Sequence, residues 1–341
     1  MSYETHPDEL EIPGEPSYRA DQLRRWLYET PVLTPAQMTN LPASIRDHFG
    51  DSHWPFAVET ELSADQGATR KWLFRAPDGA SIEAVVMGYK KRTTICISSQ
   101  AGCAMACTFC ATGQFGFERH LTAGEIVAQV AYANASLRDS HMTIGRDHIT
   151  SIVFMGMGEP LANYANVREA IRRMVEVMGL SPRHITVSTV GIVPAIYRLA
   201  EEPWPLNLAV SLHAADDETR SSIVPINKRY PIHALTEACA AFFEKTGRRV
   251  SIEWTLIAGT NDSMDQAQRL GAIALGMSAH VNVIPLNPTP LSSDRPPDAD
   301  SVKRFKQAVA RTGVTVTIRN TRGREIDAAC GQLRSQASVP G

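Results

Sequence analysis

The stretch TTICISSQAGCAMACTFCATGQ, residues 93–114, decides the fold. Its opening run, Thr93 to Ser98, is apolar and β-branched and reads as a strand; it leads straight into a glycine-bearing loop with Cys103, Cys107 and Cys110. Downstream the same kind of run recurs in ITSIVF, HITVS, PLNLAVSL, RVSIEWTLI and HVNVIPL, mostly with amphipathic helical segments between. Strands alternating with helices predict a parallel sheet in an α/β chain, and about six such units with polar residues after the strands predict a partial (β/α)6 TIM-type barrel rather than a closed eight-fold one. Thr122 and Glu125 have capping-box spacing ahead of Ile126, Val127 and Val130, which marks a helix start. LNPTPLSSDRPPD, residues 286–298, reads as a loop, and the tail beyond Cys330 as frayed.

Upstream of the stretch, Leu23, Trp26 and Leu27 have helical spacing, and Thr34-Pro35 and Leu41-Pro42 mark further helix starts, so residues 17–50 read as a small helical cap. TRKWLFRA and SIEAVVMG flank Pro77-Asp78-Gly79-Ala80 and read as a hairpin. The 341 residues, 43% of them hydrophobic, are enough for a large core. The N-terminal MSYETHPDELEIPGEP is acidic, no apolar run nears the length of a membrane span, and six cysteines with three crowded together suit a reducing compartment, so the expected location is the cytoplasm. A net charge of -2 gives no global attraction to nucleic acid. An RNA partner would have to meet local basic runs: Lys90, Lys91 and Arg92; Arg248 and Arg249; or Arg319, Arg322 and Arg324. Each run taken alone also reads as an ordinary solvated face.

Cysteines spaced Cx3Cx2C can converge on one metal centre from a single loop. A zinc site normally takes four protein ligands, and only one short pair is here. A 4Fe-4S cluster on three thiolates keeps one iron open, able to take an amine and a carboxylate. Clustered core thiols are the remaining alternative. In parallel α/β folds, ligands sit at the carboxyl ends of the strands. There the sequence places Gly156, Gly158 and Glu159 in MGMGEPL, then Ser188, then Ser211, Leu212 and His213, then Asn287. Each has a structural reading alone, as turn, packed histidine or loop former; together they read as the rim of one ligand site, with Glu159 accepting from an ammonium.

Cx3Cx2C after the first strand, with Phe109 before the last cysteine, resembles the radical S-adenosylmethionine superfamily. More specifically, CISSQAGCAMACTFCATGQ, FMGMGEPL, HITVSTVG, AVSLHA, VPINKRYP, GRRVSIEWTLIAGTND, HVNVIPLNP and TRGREIDAACGQL resemble the RlmN/Cfr family of RNA adenine methyltransferases, more RlmN than Cfr, over residues 17 to 333. The resemblance implies that Cys103, Cys107 and Cys110 bind a 4Fe-4S cluster. Gly158, Glu159, Ser188, Ser211, Leu212, His213 and Asn287 would contact S-adenosylmethionine. Cys330 would carry the methyl group as S-methylcysteine, Cys96 would resolve the intermediate through a transient disulfide, and Glu83 would be the proton acceptor. It also implies a monomer with 23S ribosomal RNA and transfer RNA as substrates and a donor such as flavodoxin. The expected division is an RNA-binding helical domain at 1–60, in which Arg19, Arg24 and Arg25 grip RNA, a hairpin linker at 61–92, the barrel at 93–320 and a carrier loop and tail at 321–341. His120 and Leu291 depart from the family pattern, and Cys239 reads as core. Alternatives are a Cfr-like enzyme modifying carbon 8 of the same adenosine, which confers antibiotic resistance, and a non-catalytic, zinc-stabilised RNA-binding module.

Overall fold

The alternation in ITVST and NLAVS becomes two strands with apolar side chains on one face and small polar ones on the other. Both lie within one ten-stranded sheet among the described residues. The structure is a computed structural model and describes residues 3–50, 52–319 and 322–333. The chain enters through α1 (Ser17–Arg24), which runs into a π-helical turn, and α2 (Ala43–Asp47). Three strands follow, β1 (Ala57–Ala64), β2 (Thr69–Arg75) and β3 (Ser81–Tyr89), paired antiparallel in sequence. The hairpin expected around Gly79 is the β2–β3 pair, and Gly79 turns with φ +91°.

β3 then pairs antiparallel with β4 (Arg92–Cys96), so the segment read as a linker continues the main sheet. The cysteine loop is bracketed by a short ribbon, β5 (Gln100–Gly102) and β6 (Phe117–His120), with α3 (Ala111–Gln114) between them. After α4 (Ala123–Asp139) come β7 (Ser151–Phe154), α5 (Tyr164–Glu176), β8 (Ile185–Thr189), α6 (Val193–Ala200) and β9 (Asn207–Ser211). The chain goes on through α7 (Asp217–Ile223), α8 (Ile232–Thr246), β10 (Ser251–Leu256), α9 (Met264–Gly276), β11 (His280–Pro285), α10 (Ala299–Arg311) and β12 (Val316–Ile318). β4 and β7 to β12 run parallel. β12 adds a parallel strand beyond the six read from the sequence; TVTI escaped notice because it is short and mostly exposed, with no apolar run.

The outer face of the parallel strands packs on the helices. Ile152, Leu208, Ile252, Trp254 and Val281 are all 0% exposed there, as are Ile126, Val127 and Val130 of α4. Burying each such side chain stabilises the fold by about 1.5–3 kcal/mol. Thr122 and Glu125 form the expected capping box, Oγ1 of Thr122 accepting from Glu125 N at 3.1 Å and the Glu125 carboxylate from Thr122 N at 2.9 Å. The N-terminal residues join this same core: Tyr3 stacks on Trp54 at 5.4 Å, and its hydroxyl donates to Leu27 O at 2.7 Å.

The C-terminal segment spans from β12 back to the antiparallel strands. Gly323 N donates to Asp65 Oδ2 at 3.1 Å, and Arg322 donates to Gly88 O at 2.8 Å. The segment ends on the cysteine loop, where Ala111 N donates to Gly331 O and Thr112 Oγ1 to Leu333 O. Residues 286–298 are a loop, as read. The tail beyond Leu333 lies outside the described residues, as does the Arg324 side chain. No helix among the described residues is long and apolar enough to cross a membrane.

Candidate active site

One cavity collects residues from the carboxyl ends of the parallel strands: Phe154, Ser188, Ser211, Glu253, Thr255 and Ile284. Neighbouring strands are about 4.8 Å apart, so strands β7 to β11 can share one cavity only if the sheet curls around it. The curl makes the polar face the inside of a partial barrel. Cys107, Phe109, Cys110, Gly158, Glu159, His213, Arg319 and Cys330 also line it.

Two glycines let the loop after β7 reach this place. A Cβ on Gly156 would meet Ile97 O at 2.6 Å, and one on Gly158, at φ +95°, would meet Gln100 Cβ at 2.5 Å. Gln100 Oε1 in turn accepts from Glu159 N at 2.7 Å. The Glu159 carboxylate, 2% exposed, accepts from Leu161 N at 3.0 Å and Val190 N at 2.8 Å. Burial pushes its pKa up to about 7 against the lowering effect of these bonds. A cationic ligand group beside it would reverse that shift. His213, at φ +59°, is pushed down to about 3, first by burial and then by Arg220, so it is neutral. Its Nδ1 accepts from Thr255 N at 2.9 Å, which leaves the ring hydrogen on Nε2. Phe109 meets the ring edge-on at 4.7 Å.

The cysteine loop has thiols that burial makes poor thiolates on their own: Cys103 is pushed up to about 12, Cys107 well above its usual range, and Cys110 upward. After burial, Cys103 is raised further by Cys110, Cys107 by Cys110 and Cys103, and Cys110 by Cys330. Metal coordination would supply the missing stabilisation, because a bound metal deprotonates its thiol ligand. No three His, Cys, Asp or Glu among the described residues converge tightly enough to hold a single metal ion. The donor set, three thiols on one loop, suits a 4Fe-4S cluster, which three cysteines can hold with one iron left open, better than zinc, which normally takes four protein ligands. Arg220 also fits an anionic group beside Cys107. It is 0% exposed and donates to Leu212 O, Ser211 O, Val190 O and Asn227 Oδ1. Burial lowers it to about 10 and Cys107 pulls it back up.

Cys330 faces this loop from the C-terminal segment. Asn287 Nδ2 donates to its carbonyl at 3.1 Å, and Gly331, at φ +84°, turns the chain after it. Both Cys330 and Cys96 are free thiols. Burial is the main cause that raises Cys96 to about 12; Cys330 raises it further and Arg319 lowers it. Arg319 lies 3.5 Å from Glu253, and its own pKa is raised chiefly by Cys330. The sequence reading took Arg319 for part of a surface basic run, whereas it points into the barrel beside both thiols. The strand register puts Lys71, Val85, Cys96 and Val153 in one row, with Glu83 two residues from Val85 on the same face. Glu83, 1% exposed, pairs with Lys71 at 3.0 Å, and Lys71 Nζ donates to Asp327 O at 3.3 Å, close before Cys330.

Of the residues singled out in the sequence, Cys107, Cys110, Gly158, Glu159, Ser188, Ser211, His213 and Cys330 line the cavity. Cys103, Cys96, Glu83, Leu212 and Asn287 stand behind the lining; Leu212 is fully buried, with its carbonyl on Arg220. Cys239 is a core thiol at 0% exposure. Lys71, Gln100, Arg220 and Glu253 were missed, because each acts through partners outside its own element, and Arg220 meets Cys107 from far along the chain. The only sequence signal for them was a charged or amide residue inside or beside an apolar run.

Comparison with known proteins gives the family. The model of the Radical SAM superfamily matches residues 97–270. A probable dual-specificity RNA methyltransferase RlmN of Rhodococcus erythropolis is 48% identical over 332 residues, covering 95% of this chain and 90% of that protein. Its counterpart from Mycobacterium ulcerans is 49% identical over 336 residues, with 95% and 90% covered. The crystal structure of a radical SAM methyltransferase from Sphaerobacter thermophilus, 45% identical, matches with a TM-score of 0.92 over 98% of this chain and 100% of that one. The chain belongs to the radical SAM superfamily and, within it, to the RlmN family of RNA methyltransferases.

Proposed function

We propose that the protein methylates carbon 2 of an adenosine in 23S ribosomal RNA and in transfer RNA, with Cys330 as the intermediate methyl carrier. The observation that carries this reading is the position of Cys330, lining one cavity with Cys107, Cys110 and Glu159 and close enough to Cys96 to shift its pKa. Cys103, Cys107 and Cys110 would hold the 4Fe-4S cluster. Gly158, Glu159, Ser188, Ser211, Leu212, His213 and Asn287 would hold S-adenosylmethionine, with Glu159 taking the ammonium. Together these groups would supply a methyl donor and, on one-electron reduction, a deoxyadenosyl radical.

The protein's own residues do the rest. Carbon 2 of adenine is electron-poor and cannot attack a methyl sulfonium as a nucleophile, so the methyl passes first to Cys330 Sγ. That methyl gives up a hydrogen atom to the deoxyadenosyl radical, and the carbon radical left on Cys330 bonds to carbon 2 and ties the RNA to the protein. The adduct would return its unpaired electron to the oxidised 4Fe-4S cluster, and Glu83 accepts the ring proton. Cys96 Sγ then attacks Cys330 Sγ; the S–CH2 bond breaks with its electron pair on carbon, which takes up a proton to become the methyl group, and the Cys96–Cys330 disulfide left behind is reduced by the electron donor before the next turnover. The base must leave its stack to reach the cavity. In this reading the reaction runs in the cytoplasm on a monomer supplied by a donor such as flavodoxin, and residues 1–60 grip RNA through Arg19, Arg24 and Arg25.

The test is mass spectrometry of nucleosides from ribosomal and transfer RNA with and without the gene, together with Cys330→Ala in vitro. We expect gene-dependent 2-methyladenosine in both RNAs, and a Cys330→Ala protein that still forms deoxyadenosine but transfers no methyl to RNA. Gene-dependent 8-methyladenosine would move the reaction to the Cfr type, and methylated RNA from Cys330→Ala would remove the carrier role.

A further inference from the structure

Two basic runs far apart in the sequence meet at one aromatic ring. The guanidinium carbon of Arg92 lies 4.6 Å from the Tyr89 ring centroid, and that of Arg322 lies 4.5 Å from it. Arg322 is fixed there by its hydrogen bond to Gly88 O. Lys90, Lys91 and Arg92 are exposed at the β3–β4 turn, and exposed Arg146 donates to Lys91 O. Among the described residues, none of these five cations lies within ion-pair distance of a carboxylate. The adjacent acid, Asp147, pairs with His148 at 2.8 Å. Elsewhere the surface neutralises its arginines: Arg75, Arg119, Arg168 and Arg172 each hold a glutamate or aspartate. Gathering like charges without an acid costs Coulomb energy, which cation–π contact offsets only in part and a polyanion relieves.

We propose that this patch binds the phosphate backbone of the RNA substrate, in the stem that flanks the target base. The proposal rests on the reading of the substrate as RNA. Arg322 and Cys330 are eight residues apart on one segment, so their Cα atoms are at most about 27 Å apart. At a rise of about 3.4 Å per step, the patch is within about eight base pairs of the base that enters the cavity. It opens onto a cleft at the amino-terminal mouth of the barrel, lined by Tyr89, Arg92, Arg183 and His184 and by Glu253, the one acid among the described residues there, which Arg319 pairs at 3.5 Å. The cysteine loop is at the other end of the strands, about 20 Å away over the length of β10, so an electron donor seated on the patch would be far from the cluster.

The experiment titrates unmodified transfer RNA transcript and a 23S fragment against holoenzyme over a range of salt, for wild type and for Lys90→Glu/Lys91→Glu/Arg92→Glu. The control is Lys306→Glu/Arg311→Glu on α10. The triple variant should keep the wild-type melting temperature, weaken RNA binding about ten-fold or more at 0.1 M salt, and reduce the log–log salt slope by roughly 2–3. A salt slope equal to wild type overturns the proposal, and so does an equal loss in the α10 control, which would mean that net charge alone matters. Intact RNA binding with slowed reduction by an acidic electron carrier reassigns the patch and also overturns it. If wild type itself binds neither RNA, the substrate reading fails instead.

Discussion

Lys71→Met takes the ammonium from beside the buried Glu83 carboxylate and leaves a side chain of similar length. Lys71 and Glu83 are 3% and 1% exposed, so water cannot replace the lost contact without opening the sheet. Removing one partner of a buried pair costs about 3–5 kcal/mol, and the lost hydrogen bond to Asp327 O lies within that sum. Exchanging both partners, Lys71→Met with Glu83→Gln, removes the buried charges together and should cost about 1–3 kcal/mol less than the first change alone. Urea unfolding of the cluster-free protein, with the slope held equal between variants, reads the difference. Limited proteolysis of the C-terminal segment reads its second consequence, because Lys71 also anchors the stretch before Cys330; that segment should be cut faster in Lys71→Met and at the wild-type rate in Lys71→Arg. A loss below about 1 kcal/mol in the single variant, or a double variant as unstable as the sum of the two, would refute the idea that this pair holds the segment.

Glu159→Gln should abolish one pH dependence of the cluster-free protein. The folded pKa of Glu159, about 7, is above its unfolded value, so its contribution to stability is complete below about pH 4.5 and is lost as pH rises through 7. Wild type should therefore fall by up to about 3 kcal/mol relative to the variant between pH 4.5 and 8, and parallel curves would contradict the raised pKa. Gly158→Ala combines φ +95° with a 2.5 Å approach to Gln100 Cβ, so it should destabilise by about 1–3 kcal/mol and weaken S-adenosylmethionine binding in calorimetry; an unchanged affinity would detach this turn from the ligand. Cys96→Ala should accumulate RNA covalently joined to protein, seen as a shifted band on denaturing gels, and normal turnover without that band would remove its resolving role.

The parallel strands and the cysteine loop were legible because their signals are local. Thr93 to Ser98 and Ile185 to Thr189 declare strands by composition and alternation, and Cys103, Cys107 and Cys110 stand out as candidates for one centre by their spacing. β12 was not legible, since a short exposed strand has little apolar content and is held by its pairing with β11. The polar strand ends were legible as a group, yet which of them reach the cavity was not. Leu212 and Ser211 are adjacent in the chain, and only Ser211 lines it.

By itself, the sequence determined the chemistry on offer: three thiols on one loop, a glycine-flanked carboxylate after β7, and two further cysteines. Tertiary structure alone decided which groups act on one another. Cys96 and Cys330 share an environment because strand register and the returning C-terminal segment bring them together, and the same return carries Arg319 into the barrel and Arg322 onto Tyr89. Lys71 meets Glu83 across a strand pair, and Arg220 settles beside Cys107. Spacing and alternation depend on neighbouring residues and survive in a linear reading. Burial, charge pairing and pKa depend on distances between segments far apart in the chain, and those exist only once the sheet has curled.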